Sequence, residues 1–539
     1  MPGGGQLPLV AYGNQNAYVN GNPEITNFYK VFKRYTHFSQ EPITIPMDGP
    51  NELAMDTPIR IRAKIPRHAD LMTDLYFLFR VPEMFSKLFD NAQTIPAFRW
   101  IHALGALMID NVAIFVGGSK IQEFPGEWLV ARATIDYPPE KYARWRELVG
   151  DVAELNEPEW GVYGKSPNYP YQKGEYPHVV SDLANPTATM ASSTPERTLR
   201  VPLPFWFTEG TGTALPLVSL QYHDVEVQIT MRTMREMYRV MDIETQREAV
   251  RCGRKLNIDG TAPTSYDPTN PTAYDNLTLQ SNYSSDAACN LTIKNFYTDV
   301  GQPVPTLDGY NLEPRLEGNY VYLTGKEQVI FAQRELQHIV HQVQTFRFPS
   351  VAARTKLDLD AHNIMHRIVF YGRRSDAIES RNDYINLSNW KSKCQAPYCP
   401  LSAGATVPNS GRFVPYTQFD ILRSARLVIA GNEVFEEKEA KYFEVQAPFA
   451  TTEGGSGGRR YRPDEVMGPI YQLPFALHAS DHQQPSGTLN ASMLREIQLE
   501  VNPWTLDPGS NYTYDFTVFV ESLNLVKFQS GMGGLAYAV

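Results

Sequence analysis

Apolar and polar residues alternate with a period of two in several short runs of the chain. Val225, Val227 and Ile229 alternate with Glu226, Gln228 and Thr230, which predicts a strand with one wet face. Residues 75–79 are apolar at every position, as in a strand buried on both sides. Val112, Ile114 and Val116 run into the turn signal Gly117-Gly118, and Ile121 follows. Strand-like text resumes at 320–323, 339–348, 364–371 and 426–430. Helical spacing is rarer. Asn22 reads as a cap with Pro23 behind it, and Ile25, Phe28, Tyr29 and Phe32 follow at helical intervals, predicting a short amphipathic helix. A second helix is expected from Pro138-Pro139 to Val149, closed by Gly150. Residues 1–21 read as an extended arm, and 451–458 as a flexible loop tip. From 241 to 313 the text turns polar and loses its period, the mark of an insertion or linker loop.

These signals recur. Leu203-Pro204-Phe205 returns as Leu473-Pro474-Phe475. Each copy precedes a loop with Gly-Thr, at Gly212-Thr213 and Gly487-Thr488, and then an alternating strand, at 225–229 and 497–501. Upstream of each copy an apolar strand enters a Gly turn, at 113–118 and 427–432. Four features in the same order in both halves predict two domains of one fold. Two β-rich domains fit jelly rolls, although other sandwiches would share the pattern.

Composition sharpens this. A chain of 539 residues exceeds a single core. It carries 40 Pro, 36 Gly, 30 Tyr and 26 Phe, which suits short strands and long loops. The net charge of -10 leaves no broad basic footprint, so direct nucleic-acid binding is not expected. No apolar run is long enough for a membrane helix, and residues 1–6 show no secretory signal. The four cysteines, Cys252, Cys289, Cys394 and Cys399, are expected as free thiols.

The text is poor in catalytic signatures. It holds no phosphate-cradling loop, no H-E-x-x-H and no G-x-S-x-G, and Gly210-Thr211-Gly212 lacks a strand-then-helix setting. His338 and His341 would point to opposite faces of a strand. His362 and His366 would share a helix face, but their surroundings alternate like a strand, and Cys394 and Cys399 stand near one another. Half-buried histidines and free thiols are preferred to a zinc site, and no catalytic, cofactor or metal residue is expected. Glu436 to Glu439 reads as a solvated charge run, and Trp128, Phe205 and Trp206 as core anchors or lining of a subunit seam. Glycosylation sequons stand at Asn276, Asn282, Asn290, Asn386, Asn490 and Asn511. Two function classes remain: a self-assembling shell protein and a sugar-binding β-sandwich. Two tandem rolls between Gly-rich termini favour the shell.

Several motifs carry a resemblance. Leu9-Val10-Ala11-Tyr12-Gly13, Gly21-Asn22-Pro23-Glu24-Ile25-Thr26 and Arg34-Tyr35-Thr36 open the chain. Ile65-Pro66-Arg67, Gly126-Glu127-Trp128, Leu203-Pro204-Phe205-Trp206-Phe207 and Leu220-Gln221-Tyr222-His223 follow. The second half adds Phe331-Ala332-Gln333, Tyr442-Phe443, Gln484-Pro485-Ser486-Gly487-Thr488 and the tail Ser530-Gly531-Met532-Gly533-Gly534. Together they resemble the major capsid proteins of nucleocytoplasmic large DNA viruses, in the algal-virus and mimivirus-like branch. The chain departs at Ser119-Lys120-Ile121-Gln122, where the family shows an acidic residue after the Gly-Gly turn, and in the length of 241–313.

The resemblance implies an all-β double jelly roll, two tandem eight-stranded rolls with long loops and a few short helices. It implies a homotrimeric capsomer of pseudo-hexagonal outline in an icosahedral shell, hence a virion protein made in the host cytoplasm. Its partners would be further copies of itself, minor capsid and penton proteins, and proteins of an internal membrane. The expected division is an arm at 1–24, a first roll at 25–240, an insertion at 241–313, a second roll at 314–525 and a tail at 526–539. The insertion is expected as an outward loop tower.

Overall fold

The computed structural model describes residues 4–30, 32–86, 96–161, 176–177, 192–242, 247–249, 293–298, 303, 305, 309–375, 377–378, 382–389, 420–452, 468–506 and 512–537. All four cysteines, most of the 241–313 segment with three of the sequons, Asn511 and most of the 451–458 loop lie outside the described residues. The tower expectation therefore falls outside them too.

Eight strands build the first roll: β1 (Phe38–Pro46), β2 (Ile59–Lys64), β3 (Leu71–Val81), β4 (Ile109–Val116), β5 (Ser119–Pro125), β6 (Arg197–Pro202), β7 (Val225–Met231) and β8 (Arg315–Leu323). They form two sheets, ordered β1-β8-β3-β6 and β2-β7-β4-β5. Eight more build the second: β9 (Leu336–Val351), β10 (Thr355–Leu359), β11 (Ile364–Arg374), β12 (Leu422–Ile429), β13 (Asn432–Glu439), β14 (Tyr471–Pro474), β15 (Ile497–Pro503) and β16 (Tyr514–Gln529). Their sheets run β9-β16-β11-β14 and β10-β15-β12-β13. Adding eight to every strand of the first roll reproduces the second. The repeat in the sequence is thus a repeat of topology, two jelly rolls of one design.

The repeated motifs occupy equivalent places. Gly117 and Gly118, at φ +58° and +83°, make the tight turn between β4 and β5. Ala430 and Gly431, at φ +49° and +78°, make the matching turn between β12 and β13. Both central residues need positive φ, the signature of the hairpin turn that follows strand twist. The two Leu-Pro-Phe motifs close β6 and β14. Strand β7 alternates buried and half-buried residues as its sequence does, pairing Val227 with Ala63 of β2 and with Ile114 of β4.

Two cores result. One fills the second roll and includes Leu357, Phe370, Leu427, Leu499 and Val518. The other fills the first roll but also takes in Val369, Tyr371, Phe519 and Val526. Adjacent residues of β11 and β16 thus feed different cores. The β16–β11 pair is buried on both faces, one against its own roll and one against the first.

Helix α1 (Gly126–Asp136) lies at this joint, and α2 (Pro139–Leu148) follows it. The second was expected, and Gly150 just beyond it sits at φ +77°. The first was not, since all of its residues from Gly126 to Ile135 are buried and no polar stripe marks it. Three further expectations change. Residues 22–30 are not helical: Asn22 takes φ +50°, and the helical turns lie earlier, at Leu7–Val10 and Asn14–Asn20. Ile25, Phe28 and Phe32 are exposed, and a helix this short needs a packed apolar face to persist. Strand β8, placed by the expected boundary at 314 in the second roll, instead sits between β1 and β3 of the first. The expected tail at 526–539 is sheet: β16 continues to Gln529, and Met532–Leu535 folds back to pair with it.

Gly126 opens α1 where a side chain has no room. A Cβ there would collide with the carbonyl oxygens of Ala106 and Ile109. Gly126→Ala should therefore lower stability by about 2–3 kcal/mol through forced backbone shifts. Denaturant unfolding of the purified chain checks this, and Gly118→Ala cannot serve as its neutral control because of the positive φ.

Candidate functional site

The joint between the rolls gathers charge in an enclosed place. Arg367 of β11 is fully buried. Its Nη1 and Nη2 donate to the two carboxylate oxygens of Asp136 at 2.6 and 2.7 Å, across the joint. Its Nε and Nη2 also donate to Glu521 of β16 at 2.5 and 3.1 Å. Trp128 of α1 donates its indole N–H to Glu521 at 2.7 Å. One guanidinium and two carboxylates, with the indole, thus tie the end of α1 to the middle of the facing sheet.

The other end of α1 is held similarly. Glu127 accepts from the Tyr371 hydroxyl at 2.6 Å and from Arg232 at 3.0 Å, and Arg373 stands 3.9 Å away. Arg132, midway, pairs with Glu209 at 2.7 Å and lies over the Trp128 ring. Burial alone would raise the Glu127 carboxyl, but Arg373 and Arg232 hold it well below the usual range. Burial likewise opposes ionisation of Asp136, and the Arg367 guanidinium overrides it. Burial raises the Tyr371 phenol, and the adjacent Glu127 carboxylate raises it further, so Tyr371 remains a donor.

Direct polar ties add to this. Gln342 of β9 donates to the Ile121 carbonyl, and Gln483 to that of Glu209. The Tyr222 N–H reaches the Gly531 carbonyl at 2.9 Å, so the C-terminal turn clasps the first roll.

Residues weighed in the sequence find plain places. Trp128, Phe205 and Trp206 are core residues. Glu436 to Glu439 lie along β13, largely exposed. Gly210 to Gly212 form part of a single 3-10 turn. Asn386 is buried and bonded to Asp383 and Ser388, so its sequon is closed to modification. Asn490 is exposed. His338 lies against Phe528, apart from His341, as strand geometry requires. His362 is exposed. His341, however, meets His366 and His482, a grouping missed because its members come from three distant segments. Sequence spacing could pair neighbours only within one element.

Two rolls of identical strand order, fused through a buried helix, define a double jelly-roll protein. The model for the major capsid protein N-terminus matches residues 26–323, and that for the large eukaryotic DNA virus major capsid protein matches 327–534. The chain belongs to the major capsid protein family of large eukaryotic DNA viruses, whose members form icosahedral virion shells. It is 26% identical to the major capsid protein of Phaeocystis pouchetii virus, with 99% of each chain covered. Identity to the major capsid protein of Paramecium bursaria Chlorella virus 1 is 23%, again over 99% of each. Among solved structures, PBCV-1 VP54 superimposes with a TM-score of 0.60 at 18% identity, covering 95% of this chain and all of the other. The Faustovirus major capsid protein gives 0.56 at 13% identity, covering 95% and 94%.

Two outcomes follow from the joint. Arg367→Met leaves two buried carboxylates facing each other and should cost about 3–5 kcal/mol. Arg367→Lys should recover little, because a lysine cannot bridge both carboxylates with a planar fork. Urea unfolding followed by tryptophan fluorescence measures both. Glu127 supplies a pH dependence. A carboxyl held below its unfolded value adds stability above about pH 4.3 and loses it as the pH falls toward the folded value. Glu127→Gln should be less stable than wild type at pH 7, and the gap should narrow by roughly 1.4 kcal/mol per pH unit below about pH 4.3.

Proposed function

We propose that this chain works by assembly and not by catalysis, as a homotrimer whose three copies present six like lobes. The observation that supports it is the identical strand order of the two rolls, locked together by α1. Three such chains around a threefold axis give a nearly hexagonal block from one polypeptide, and such a block tiles a curved shell. The sugar-binding alternative has no use for this duplication.

Exposed apolar side chains supply surface for the assembly. In the body of the chain, Phe449 is 88% exposed and Leu477 72%, on segments flanking β14, and Val329 and Ile330 are half-exposed on the helix Gly325–Gln333. In the N-terminal segment, Leu9, Val10, Tyr18, Ile25 and Phe28 are exposed. Large apolar side chains left in water on this scale mark surfaces that another chain covers. Minor capsid and penton proteins, and proteins of an internal membrane, are the further partners we propose, meeting the assembled shell and not the single chain.

Light scattering of the purified chain should give the mass of three copies, and negative-stain images should show particles with six lobes. A folded preparation that stays at one or two copies at micromolar concentration overturns the trimer. An obligate interface of this kind buries well over about 2,000 Å².

A further inference from the structure

His341 lies in the middle of β9, His366 in β11 and His482 in the loop between β14 and β15. Their ring centroids are 4.6 to 6.0 Å apart, and each offers a nitrogen within 4.8 Å of the others. The side chains of His366 and His482 are 4% and 6% exposed, and His341 is buried. A bulge brings His366 there. Met365 pairs with Ser522 and Arg367 with Glu521, so His366 is the extra residue of β11. The bulge lets two consecutive side chains, His366 and Arg367, both approach Glu521, which regular alternation forbids.

Each outer nitrogen has an oxygen close to it. His341 Nε2 stands 2.8 Å from the His482 carbonyl oxygen, which can only accept. His482 Nε2 stands 3.2 Å from Asp136 Oδ2, and His366 Nε2 lies 3.3 Å from Glu521 Oε2 without the alignment of a hydrogen bond. Protons on Nε2 leave lone pairs on Nδ1. The Nδ1 atoms of His341 and His482 then face each other 3.4 Å apart, two acceptors with no donor between them. The Nδ1 of His366 is buried and has no hydrogen-bond partner.

We propose that His341, His366 and His482 bind a zinc ion through ring nitrogens, with Asp136, Glu521 and the His482 carbonyl as outer partners. Metal-bound histidines characteristically give their second N–H to a carboxylate or backbone carbonyl, which is the pattern of His341 and His482, and His366 Nε2 has the Glu521 carboxylate 3.3 Å away. Bonds of 2.0–2.1 Å to a tetrahedral ion place ligand nitrogens about 3.4 Å apart, the spacing of the His341–His482 pair. The third ring meets that spacing after a shift of roughly 1–1.5 Å. Three imidazoles select zinc over calcium or magnesium, which need oxygen ligands. Burial, reinforced by the neighbouring rings, lowers the His341 pKa well below the ordinary histidine value. It lowers that of His366 too.

Charge agrees with a cation here. Around the rings stand Asp136 and Glu521, against Arg367 alone, since Arg132 is matched by Glu209. A single proton shared by the His341 and His482 nitrogens would also answer that charge, but it leaves His366 without a partner. The ion would staple β9, β11 and the β14–β15 loop beneath the inter-roll joint.

The test uses the full chain, stripped with a chelator and then given zinc sulfate. Elemental analysis after desalting should find one zinc per chain, and the Tm should rise by at least about 3 °C. Cobalt in its place should give the intense visible bands of a tetrahedral ion, a readout that needs no variant. His482→Asn and His366→Asn should lose the bound metal, whereas His338→Asn and His362→Asn should keep it. Folded wild type that retains no zinc, shows no tetrahedral cobalt spectrum and gains no Tm overturns the proposal and leaves the shared proton. Equal zinc retention by His482→Asn and His366→Asn overturns it as well.

Discussion

A guanidinium cut off from water must be met completely, and Arg367 is met by carboxylates from two different parts of the chain. Asp136 ends the helix that belongs to the first roll, and Glu521 lies within the central strand of the second. The arginine favours the ionised form of both carboxylates there, and the two carboxylates together answer its buried charge. The relative placement of the rolls is therefore fixed by a polar condition as well as by packing. An apolar joint could slide by one side chain at small cost. A two-sided ion cluster cannot, because each shift would leave a buried charge unpaired.

The sheet facing this cluster answers two demands at once. Residues 368 and 370 of β11 serve the second roll's own core, while 369 and 371 serve the joint. That accounts for the near-continuous apolar text of 364–371, which in an isolated sandwich would alternate. The first roll brings a helix to the joint. Duplicated topology has been adapted asymmetrically: one roll offers a sheet face, the other an inserted helix that begins at a position where only glycine fits.

Much of this was readable in the sequence. The Leu-Pro-Phe pair, the two Gly turns and the alternation at 225–229 mark equivalent places in two rolls, and motifs spread along the chain resembled the right family. What stayed hidden has physical causes. Helix α1 is buried all round and so lacks a period. The helix expected near Asn22 had the spacing but no surface to pack on. Strand β8 follows the polar stretch and looked like the start of the second half, yet pairing across hundreds of residues decides its sheet. The histidines at 341, 366 and 482 meet only after three segments have been folded together, and a bulge that no spacing rule announces turns one of them inward.

The place of the eighth strand in each roll has a consequence for synthesis. Strand β8 lies between β1 and β3, and β16 between β9 and β11, so each roll is completed from its middle by its last strand. A nascent chain emerging from the ribosome cannot close the first roll until the residues after the long polar stretch are out. It cannot assemble the Arg367 cluster until Glu521 has been made. A polypeptide that stops before Glu521 thus lacks the joint altogether, and the mature geometry becomes available only once β16 has been translated.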